Sequence, residues 1–248
     1  MNSVFSLKGK TILITGASSG IGRAIAQQCA MACANCILSA RNEFRLKETL
    51  DSLEPGSHEM IIADLSSVEG VESLVAAMPV LDGVVSCAGI VETKMLKFSD
   101  ENDMVNLFNT NAFSTIRLIR GLVQNKKLSK GASMIVISSI SGVKCGYLGG
   151  ALYGATKGAL EGFIKATALE LAPRKIRVNS IIPGMIETNL MADSQLDEEQ
   201  LLLDMKKYPL KRYGKPEEVG YAAVYLLSDA TVWMTGSSLL IDGGYTLN

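Results

Sequence analysis

Tyr153 and Lys157 are the residues whose types and spacing point most directly to chemistry. They stand four apart in a stretch with helical periodicity, so both side chains lie on one face of a helix. A ketone that accepts a hydride develops negative charge on its oxygen and must receive a proton. A phenol could supply that proton if a nearby ammonium lowered the phenol pKa from its ordinary value of about 10. The pair alone is also typical of an amphipathic helix whose lysine reaches solvent, so the interpretation depends on the rest of the sequence.

A glycine-rich turn near the N-terminus predicts a site for a diphosphate. The apolar run Thr11–Thr15 leads directly into residues 16–22 (GASSGIG), and a segment with helical periodicity follows. Gly16 allows the tight turn, Gly20 lets the main chain approach a pyrophosphate, and Gly22 lets the helix pack closely on the strand. The amides at the start of the helix then face the phosphates, together with the positive end of the helix dipole. The alternative is an ordinary glycine-rich turn between a strand and a helix.

Short apolar runs alternate with segments of helical periodicity along the whole chain. Most runs lack strict polar alternation, which is typical of parallel strands covered on both faces. This predicts a single Rossmann-like α/β domain over residues 1–248, a doubly wound parallel sheet of about seven strands in a three-layer α/β/α arrangement. The segment near 187–210 breaks the rhythm and is predicted to be a flap that closes over substrate. The predicted strands are Thr11–Thr15, Cys36–Ala40, Met60–Asp64, Gly83–Ser86, Ser133–Ser138, Arg177–Ile182 and Ser238–Ile241, with helices near 20–32, 42–53, 67–77, 101–125, 153–171 and 216–228.

Residues 15–22 resemble the Thr-Gly-x3-Gly-x-Gly fingerprint of the short-chain dehydrogenase/reductase family. Residues 86–89 (SCAG) resemble that family's Asn-Asn-Ala-Gly segment, but Ser86 and Cys87 replace the asparagines, which should cost hydrogen bonds that brace the sheet. The resemblance runs from Leu7 to residues 241–244 (IDGG) and is strongest to 3-oxoacyl-(acyl-carrier-protein) reductases. It implies an oxidoreductase that moves a hydride between a nicotinamide and a carbonyl or alcohol. The alternative is a catalytically silent NADP-binding sensor or scaffold on the same fold.

The resemblance also assigns a catalytic group, formed by Asn111, Ser139, Tyr153 and Lys157. Tyr153 would transfer the proton, and Ser139, at the end of strand five, would polarise the substrate oxygen. Asn111, in the long helix after strand four, would hold a water that links Lys157 to solvent. Ser138 stays an alternative to Ser139, because the chain carries one extra residue before Tyr153 relative to the family pattern.

The end of the second strand favours NADP(H) over NAD(H). Ala40 stands where an NAD-binding relative carries Asp, and the guanidinium of the following Arg41 suits a 2′-phosphate. Ser19 stands where many NADP-binding relatives carry a basic residue, so one charge is missing, and Arg41 could instead be a solvated residue at a helix start. The resemblance assigns cofactor contacts to Gly16, Ser18, Ser19, Gly20, Ile21, Gly22, Arg41, Asn42, Asp64, Leu65, Cys87, Ala88, Gly89, Tyr153, Lys157, Pro183, Gly184, Ile186 and Thr188.

Charge and composition argue against several other kinds of partner. The chain carries 24 Lys and Arg against 25 Asp and Glu, which gives no basic footprint for nucleic acid or a membrane surface. No apolar run is long enough to predict a membrane span, and the N-terminus lacks a secretory signal, so a cytoplasmic location is expected. Cys29, Cys33 and Cys36 have a spacing that could suggest an iron–sulfur site, but buried thiols are the better interpretation. His58, the only histidine, lies in a polar loop, and no metal site is predicted.

A stripe of small residues on the helix near 153–171 predicts self-association. Small side chains let helices approach closely, and similar members of the family pair such helices between subunits, so a homotetramer, a dimer of dimers, is expected. Lys126, Lys127 and Arg174 could meet an acidic carrier protein, so the expected substrate is a free or carrier-bound ketone or alcohol. The stripe consists of Ala155, Ala159, Gly162 and Ala166.

Overall fold

The structure, a computed structural model, describes residues 3–188 and 198–247. Strands and helices alternate along these residues, as the sequence predicts. The strands are β1 (Thr11–Thr15), β2 (Asn35–Ala40), β3 (Glu59–Ile62), β4 (Leu81–Ser86), β5 (Leu128–Ile137), β6 (Arg177–Pro183) and β7 (Ser238–Ile241). The helices are α1 (Gly20–Met31), α2 (Glu43–Asp51), α3 (Val68–Ala77), α4 (Glu101–Leu107), α5 (Ser114–Gln124), α6 (Ala151–Leu171), α7 (Glu198–Met205) and α8 (Pro216–Leu227).

The strands of the described residues form one parallel sheet in the order β3-β2-β1-β4-β5-β6-β7, which confirms the predicted doubly wound fold. The chain starts in the middle of the sheet, winds outward to β3, and then crosses back to β4. The order therefore reverses between β1 and β4. In open parallel sheets, ligands bind outside the carboxyl ends of the strands at such a point.

Each face of the sheet is covered by its own apolar cluster. Leu13 and Ile14 are neighbours on β1 but belong to different clusters, because successive side chains of a strand point to opposite faces. Ile14 packs with residues of α1 and α8, whereas Leu13 packs with residues of α3, α5 and α6. Burial on both faces explains why the strands appear in the sequence as continuous apolar runs.

Strand β5 differs from its predicted bounds at both ends. It begins at Leu128, five residues before the predicted start at Ser133. The sequence does not show this first half, because residues 129–131 are partly exposed and break the apolar pattern. It ends at Ile137, so Ser139 lies in the loop beyond the strand rather than at its last position. Asp64 likewise lies beyond β3, which ends two residues earlier.

Residues 101–124 are helical without a break, which confirms the helix predicted near 101–125. A π-helical segment, Phe108–Phe113, joins α4 to α5 and contains the buried Asn111. Asn111 therefore lies in the predicted long helix, but in a π turn rather than a regular α turn. A π turn is rare, frequently marks a functional site, and leaves no signature in a pattern of period 3.6, so the sequence could not show it.

The predicted flap lies partly outside the described residues, which omit 189–197. The described part contains α7 and then Tyr208, whose buried ring packs 4.8 Å from that of Tyr245 near the C-terminus. Closure of this segment over a substrate stays a prediction. Among the described helices, none is both long and apolar enough to cross a membrane.

Candidate active site

The turn between β1 and α1 is tightly packed against the segment that follows β4. Gly16 has φ +67°, and a Cβ added there would lie 2.9 Å from the main chain of Ala88. A Cβ at Gly22 would overlap the main-chain oxygen of Gly16, so the helix could not pack on the turn. At Gly20, which has φ +51°, an added Cβ would lie 3.2 Å from the Cγ2 atom of Thr188. A side chain at any of these three positions would crowd its neighbours. Because the residues are glycines, the main chain of the turn stays open to a ligand.

The start of α1 offers main-chain donors to an anion. Ser19 is its N-cap residue, but its hydroxyl accepts no hydrogen bond from the first turn. The N-caps of α2 and α3, Asn42 and Ser67, both accept such bonds, from Arg45 and Gly70. The amides at the start of α1 and the helix dipole therefore fit the diphosphate of a dinucleotide.

Two residues that sequence reasoning misses hold this turn in place. The buried hydroxyl of Thr15 accepts hydrogen bonds from the N–H groups of Cys87 (3.1 Å) and Ala88 (3.3 Å), which joins β1 to the loop after β4. The guanidinium of Arg23 donates to the main-chain oxygen of Ser18 at 2.9 Å. A polar residue that ends a buried apolar strand, as Thr15 does, is the signal that could have identified the first of these.

Ser86 replaces part of the bracing that the family's asparagine would provide. Its hydroxyl hydrogen-bonds the Thr115 hydroxyl on α5 at 2.8 Å, inside the core. The loss expected from this substitution is therefore partly offset by a bond between the sheet and a helix.

Arg41 and Asp64 follow the ends of the neighbouring strands β2 and β3. Hydrogen bonds from Ser66 lower the pKa of the Asp64 carboxyl, and the charge of Arg41 lowers that pKa further. Both side chains are exposed, as residues that contact a nucleotide would be. Two other predicted contacts serve the fold: the Asn42 side-chain oxygen caps α2, and Leu65 is buried in the core.

Tyr153 lies in the first turn of α6, beside Ser139. Burial raises the pKa of the Tyr153 phenol, and interaction with the Ser139 hydroxyl partly opposes that rise. The sequence predicts a lowered pKa for this phenol, whereas burial, the largest effect, raises it in the structure. The Lys157 amino group lies 5.7 Å from the centre of the ring.

Lys157 is only 6% exposed, and within the described residues its amino group forms no ion pair with a carboxylate. Its ammonium donates to the main-chain oxygen of Ile137, the last residue of β5, at 2.9 Å. Burial lowers the pKa of Lys157 to about 8, and the nearby thiol of Cys87 opposes this shift. An ammonium has three donors, so this bond leaves donors that fit the hydroxyl groups of a bound cofactor.

The structure brings Ser139, rather than Ser138, to the phenol. The Ser139 hydroxyl accepts from the N–H of Ser141 (3.1 Å), which leaves its own O–H to donate. The Ser138 hydroxyl is buried and finds no partner within the described residues, while its N–H donates to Ile181. The geometry therefore favours Ser139 of the two alternatives.

Asn111 joins the π turn to the loop after β4. Its side-chain oxygen accepts from the N–H of Ile90 (2.8 Å), and its amide donates to the Ile90 oxygen (2.9 Å) and to Thr156 (3.3 Å). A Cβ at Gly89 would lie 3.2 Å from the Asn111 oxygen and 3.8 Å from the Lys157 amino group. Both hydrogens of the Asn111 side-chain amide already form hydrogen bonds. A water that links Lys157 to solvent would therefore have to bind the main chain of this turn.

The segment after β6 lies against the phosphate-binding turn. A bridge pairs Ile186 with Gly214, but the bonds that form it use the N–H of Glu187 and the oxygen of Met185. Neither bond uses the main-chain N–H or C=O of Ile186. These two groups could therefore hydrogen-bond the carboxamide of a nicotinamide, as predicted. Thr188 lies near Gly20, and its phosphate contact stays a prediction.

Cys29, Cys33, Cys36 and His58 lie outside this site. Cys29 and Cys36 are buried, as the sequence predicts, and burial raises the pKa of Cys36 to about 12. Cys33 is exposed, so the interpretation as a buried thiol is wrong for that residue. His58 accepts from the N–H of Cys36 (3.1 Å) and contacts the oxygen of Glu54 (2.8 Å), so it secures the start of β2. Within the described residues, no group of three or more His, Cys, Asp and Glu side chains is placed to hold a metal ion.

The basic residues suggested for a carrier protein lie at the opposite edge of the sheet. Lys126 and Lys127 come directly before β5, and Arg174 comes before β6, whereas the catalytic group follows the strands. Lys127 donates to the main-chain oxygen of Met78 (2.5 Å), and Arg174 to that of Leu128 (2.6 Å). A contact of these residues with an acidic carrier protein stays a prediction.

Comparison with known proteins agrees with this arrangement. The sequence profile described as Enoyl-(Acyl carrier protein) reductase matches residues 16–246. A 3-oxoacyl-[acyl-carrier-protein] reductase of Rickettsia felis is 35% identical over 242 residues, which cover 97% of this chain and 98% of that protein. Carbonyl reductase family member 4 of Danio rerio is 35% identical over 95% of this chain and 97% of its own.

The likeness extends to solved structures. A short-chain type dehydrogenase/reductase from Mycobacterium marinum has a TM-score of 0.89 and 32% identity, covering 99% of this chain and 100% of that one. Matches of this length include the catalytic loops as well as the nucleotide-binding half. The chain belongs to the short-chain dehydrogenase/reductase family, and it is an oxidoreductase of that family.

Proposed function

We propose that the protein is an NADP(H)-dependent oxidoreductase that transfers a hydride between the nicotinamide and a ketone or secondary alcohol. The observation that carries the proposal is the meeting of Ser139, Tyr153 and Lys157 at the sheet edge that also presents the uncapped start of α1. A bound nicotinamide would supply or accept the hydride. 3-Oxoacyl thioesters are the first substrates to test, because several similar proteins are named for them.

The chain's own residues handle the substrate oxygen and its proton. Tyr153, whose pKa is raised, keeps its proton near neutral pH and can donate it to the developing alkoxide. Ser139 donates a hydrogen bond to the same oxygen and stabilises the charge that forms there. Lys157, with a pKa of about 8, holds an exchangeable proton one helical turn away. The protonated phenol is the form that can donate the proton that ketone reduction requires.

The preference for the phosphorylated cofactor rests on Arg41. Ala40 ends β2 without a carboxylate, and Arg41 is exposed directly after it. A 2′-phosphate would gain a guanidinium partner there and meet no repelling acid on this strand. Family membership supports the nicotinamide cofactor itself.

The proposed assembly is a homo-oligomer, a dimer of dimers. All four residues of the small stripe on α6 are exposed in the single chain, which leaves them accessible to a second helix. A cytoplasmic location remains the expectation from the sequence. Size-exclusion chromatography with light scattering tests the assembly, and a monomer at micromolar concentration would contradict it.

The proposal is tested by following NADPH oxidation with a panel of ketones and 3-oxoacyl thioesters, with NADH as the comparison. Turnover of at least one ketone, with higher kcat/KM for NADPH than for NADH, is expected. A silent sensor or scaffold would bind NADPH and oxidise it with none of the panel. That result would overturn the enzyme proposal while leaving the fold and the family intact.

A further inference from the structure

One wall of the cleft beside Tyr153 is built by two loops whose residues have no assigned role. Residues 91–95 follow β4, and residues 141–150 follow β5. The N–H of Lys94 donates to the main-chain oxygen of Gly149 at 3.0 Å, and a Cβ at Gly149 would lie 2.8 Å from Cγ2 of Thr93. The two loops are therefore held together directly before α6, the helix that carries Tyr153.

Tyr147 lies at the centre of this wall. Its ring covers Gly150, where an added Cβ would lie 2.5 Å from the Cε1 atom of the ring. Burial raises the pKa of Tyr147, interaction with Thr93 opposes the rise, and the nearby phenol of Tyr153 adds to it. The side chain is still 41% exposed. An aromatic ring that is fixed from behind and open in front is suited to contact a ligand.

The loops that surround this wall expose large apolar side chains. The fold does not bury these side chains, so they are available to contact an apolar ligand. Lys94, which could otherwise attract an anion, is paired with Asp103 at 2.5 Å. The exposed apolar side chains on the loops after β4, β5 and β6 are those of Val91, Met95, Leu96, Phe98, Leu148 and Met185.

We infer that Tyr147 determines substrate specificity by holding the apolar body of a ketone whose carbonyl is held by Ser139 and Tyr153. The inference rests on the proposed function and makes the substrate a ketone with an extended apolar chain or ring, rather than a polyhydroxylated one. Packing of the ring against such a chain stabilises the ground state and the transition state equally. Tyr147 therefore acts on KM and leaves kcat unchanged.

The experiment measures kcat and KM for decanone, butanone and dihydroxyacetone at saturating NADPH. It compares wild type with Tyr147→Ala and Tyr147→Phe, and Tyr221→Ala removes an exposed tyrosine of α8 as the control. Tyr147→Ala should raise the KM for decanone about tenfold and change that for butanone by less than about twofold. Tyr147→Phe, which keeps the ring, should retain the decanone KM, and Tyr221→Ala should match wild type.

Three results would overturn the inference: equal KM changes for decanone and butanone, a wild-type preference for dihydroxyacetone, or a loss of kcat for both ketones in Tyr147→Phe. If Tyr147→Ala is not folded by circular dichroism, Tyr147→Gln removes the ring while keeping a longer side chain than alanine, and the same outcomes apply. Wild type that reduces no ketone of any kind contradicts the proposed function instead. The two failures are therefore distinguishable.

Discussion

The amino group of Lys157 lies 5.7 Å from the centre of the Tyr153 ring, one turn away on α6. Burial acts on both groups, and it moves each toward its neutral form. The pKa of the phenol is raised, and the pKa of the ammonium falls to about 8. Near neutral pH the phenol therefore keeps the proton that ketone reduction requires, while Lys157 is poised to exchange one.

The buried ammonium should cost stability, so Lys157→Met should stabilise the fold at pH 7 while it impairs turnover. A fall in the Lys157 pKa from 10.5 to about 8 corresponds to a loss of about 3 kcal/mol in the free energy of unfolding. The variant recovers this loss but gives up about 1 kcal/mol from the hydrogen bond to Ile137. Since the unfolded chain binds the extra proton between pH 8 and 10.5, wild-type stability rises with pH across that window. The advantage of the variant should shrink there.

Urea unfolding at several pH values measures this difference. Lys165→Met, at an exposed position of the same helix, is the matched control and should leave stability unchanged at each pH. A Lys157→Met variant that is less stable than wild type at pH 7 would contradict a penalty for burying the charge.

The rate of ketone reduction should fall as pH rises through about 8, because Lys157 then loses the proton that it can pass toward the phenol. The measurement is kcat at saturating NADPH and ketone from pH 6 to 10. A rate that stays level to pH 10 would show that the Lys157 proton is not needed in the rate-limiting step.

Gly16→Ala should weaken both the fold and cofactor binding. The residue would retain φ +67°, and its Cβ would lie 2.9 Å from the main chain of Ala88. Gly9→Ala is the control, because Gly9 has φ +79° and nothing within 4 Å of an added Cβ. Gly9→Ala should lose about 1 kcal/mol of unfolding free energy, and Gly16→Ala should lose about 2–4 kcal/mol. Equal losses in the two variants would indicate that the close approach to Ala88 is unimportant.

Arg41→Ala should raise the dissociation constant of NADPH about 10- to 150-fold, because a guanidinium–phosphate bond is worth about 1.5–3 kcal/mol. The value for NADH should not change. Arg45→Ala removes an exposed arginine from α2 and should leave both constants unaltered. Fluorescence titration of the two cofactors gives these constants, and a parallel loss of NADPH and NADH affinity would argue against a role for Arg41 in recognising the phosphate.

The fold could be predicted from the sequence because both faces of the sheet are buried. Leu13 and Ile14 pack into different clusters, so β1 appears as an uninterrupted apolar run. The start of β5 could not be predicted, because the partly exposed residues 129–131 break that pattern. Local hydrophobicity identifies a strand only where its burial is continuous.

The order of the site residues could be predicted, but several of their interactions could not. Thr15 acts through two amides more than seventy residues away, and Asn111 depends on a π turn that periodicity does not reveal. The pKa of Tyr153 depends on burial, which the four-residue spacing to Lys157 does not report. Each of these properties arises from contacts between distant segments of the chain.

The most direct test of the account is single-turnover NADPH oxidation by Tyr153→Phe, with NADPH affinity measured on the same preparation. Loss of the phenol oxygen should lower the rate of ketone reduction by about 10²–10⁴-fold and leave cofactor affinity within about twofold, since the proton is transferred only during the reaction. Tyr221→Phe should behave as wild type. A Tyr153→Phe variant that oxidises NADPH at the wild-type rate would contradict the assignment of Tyr153 as the proton donor.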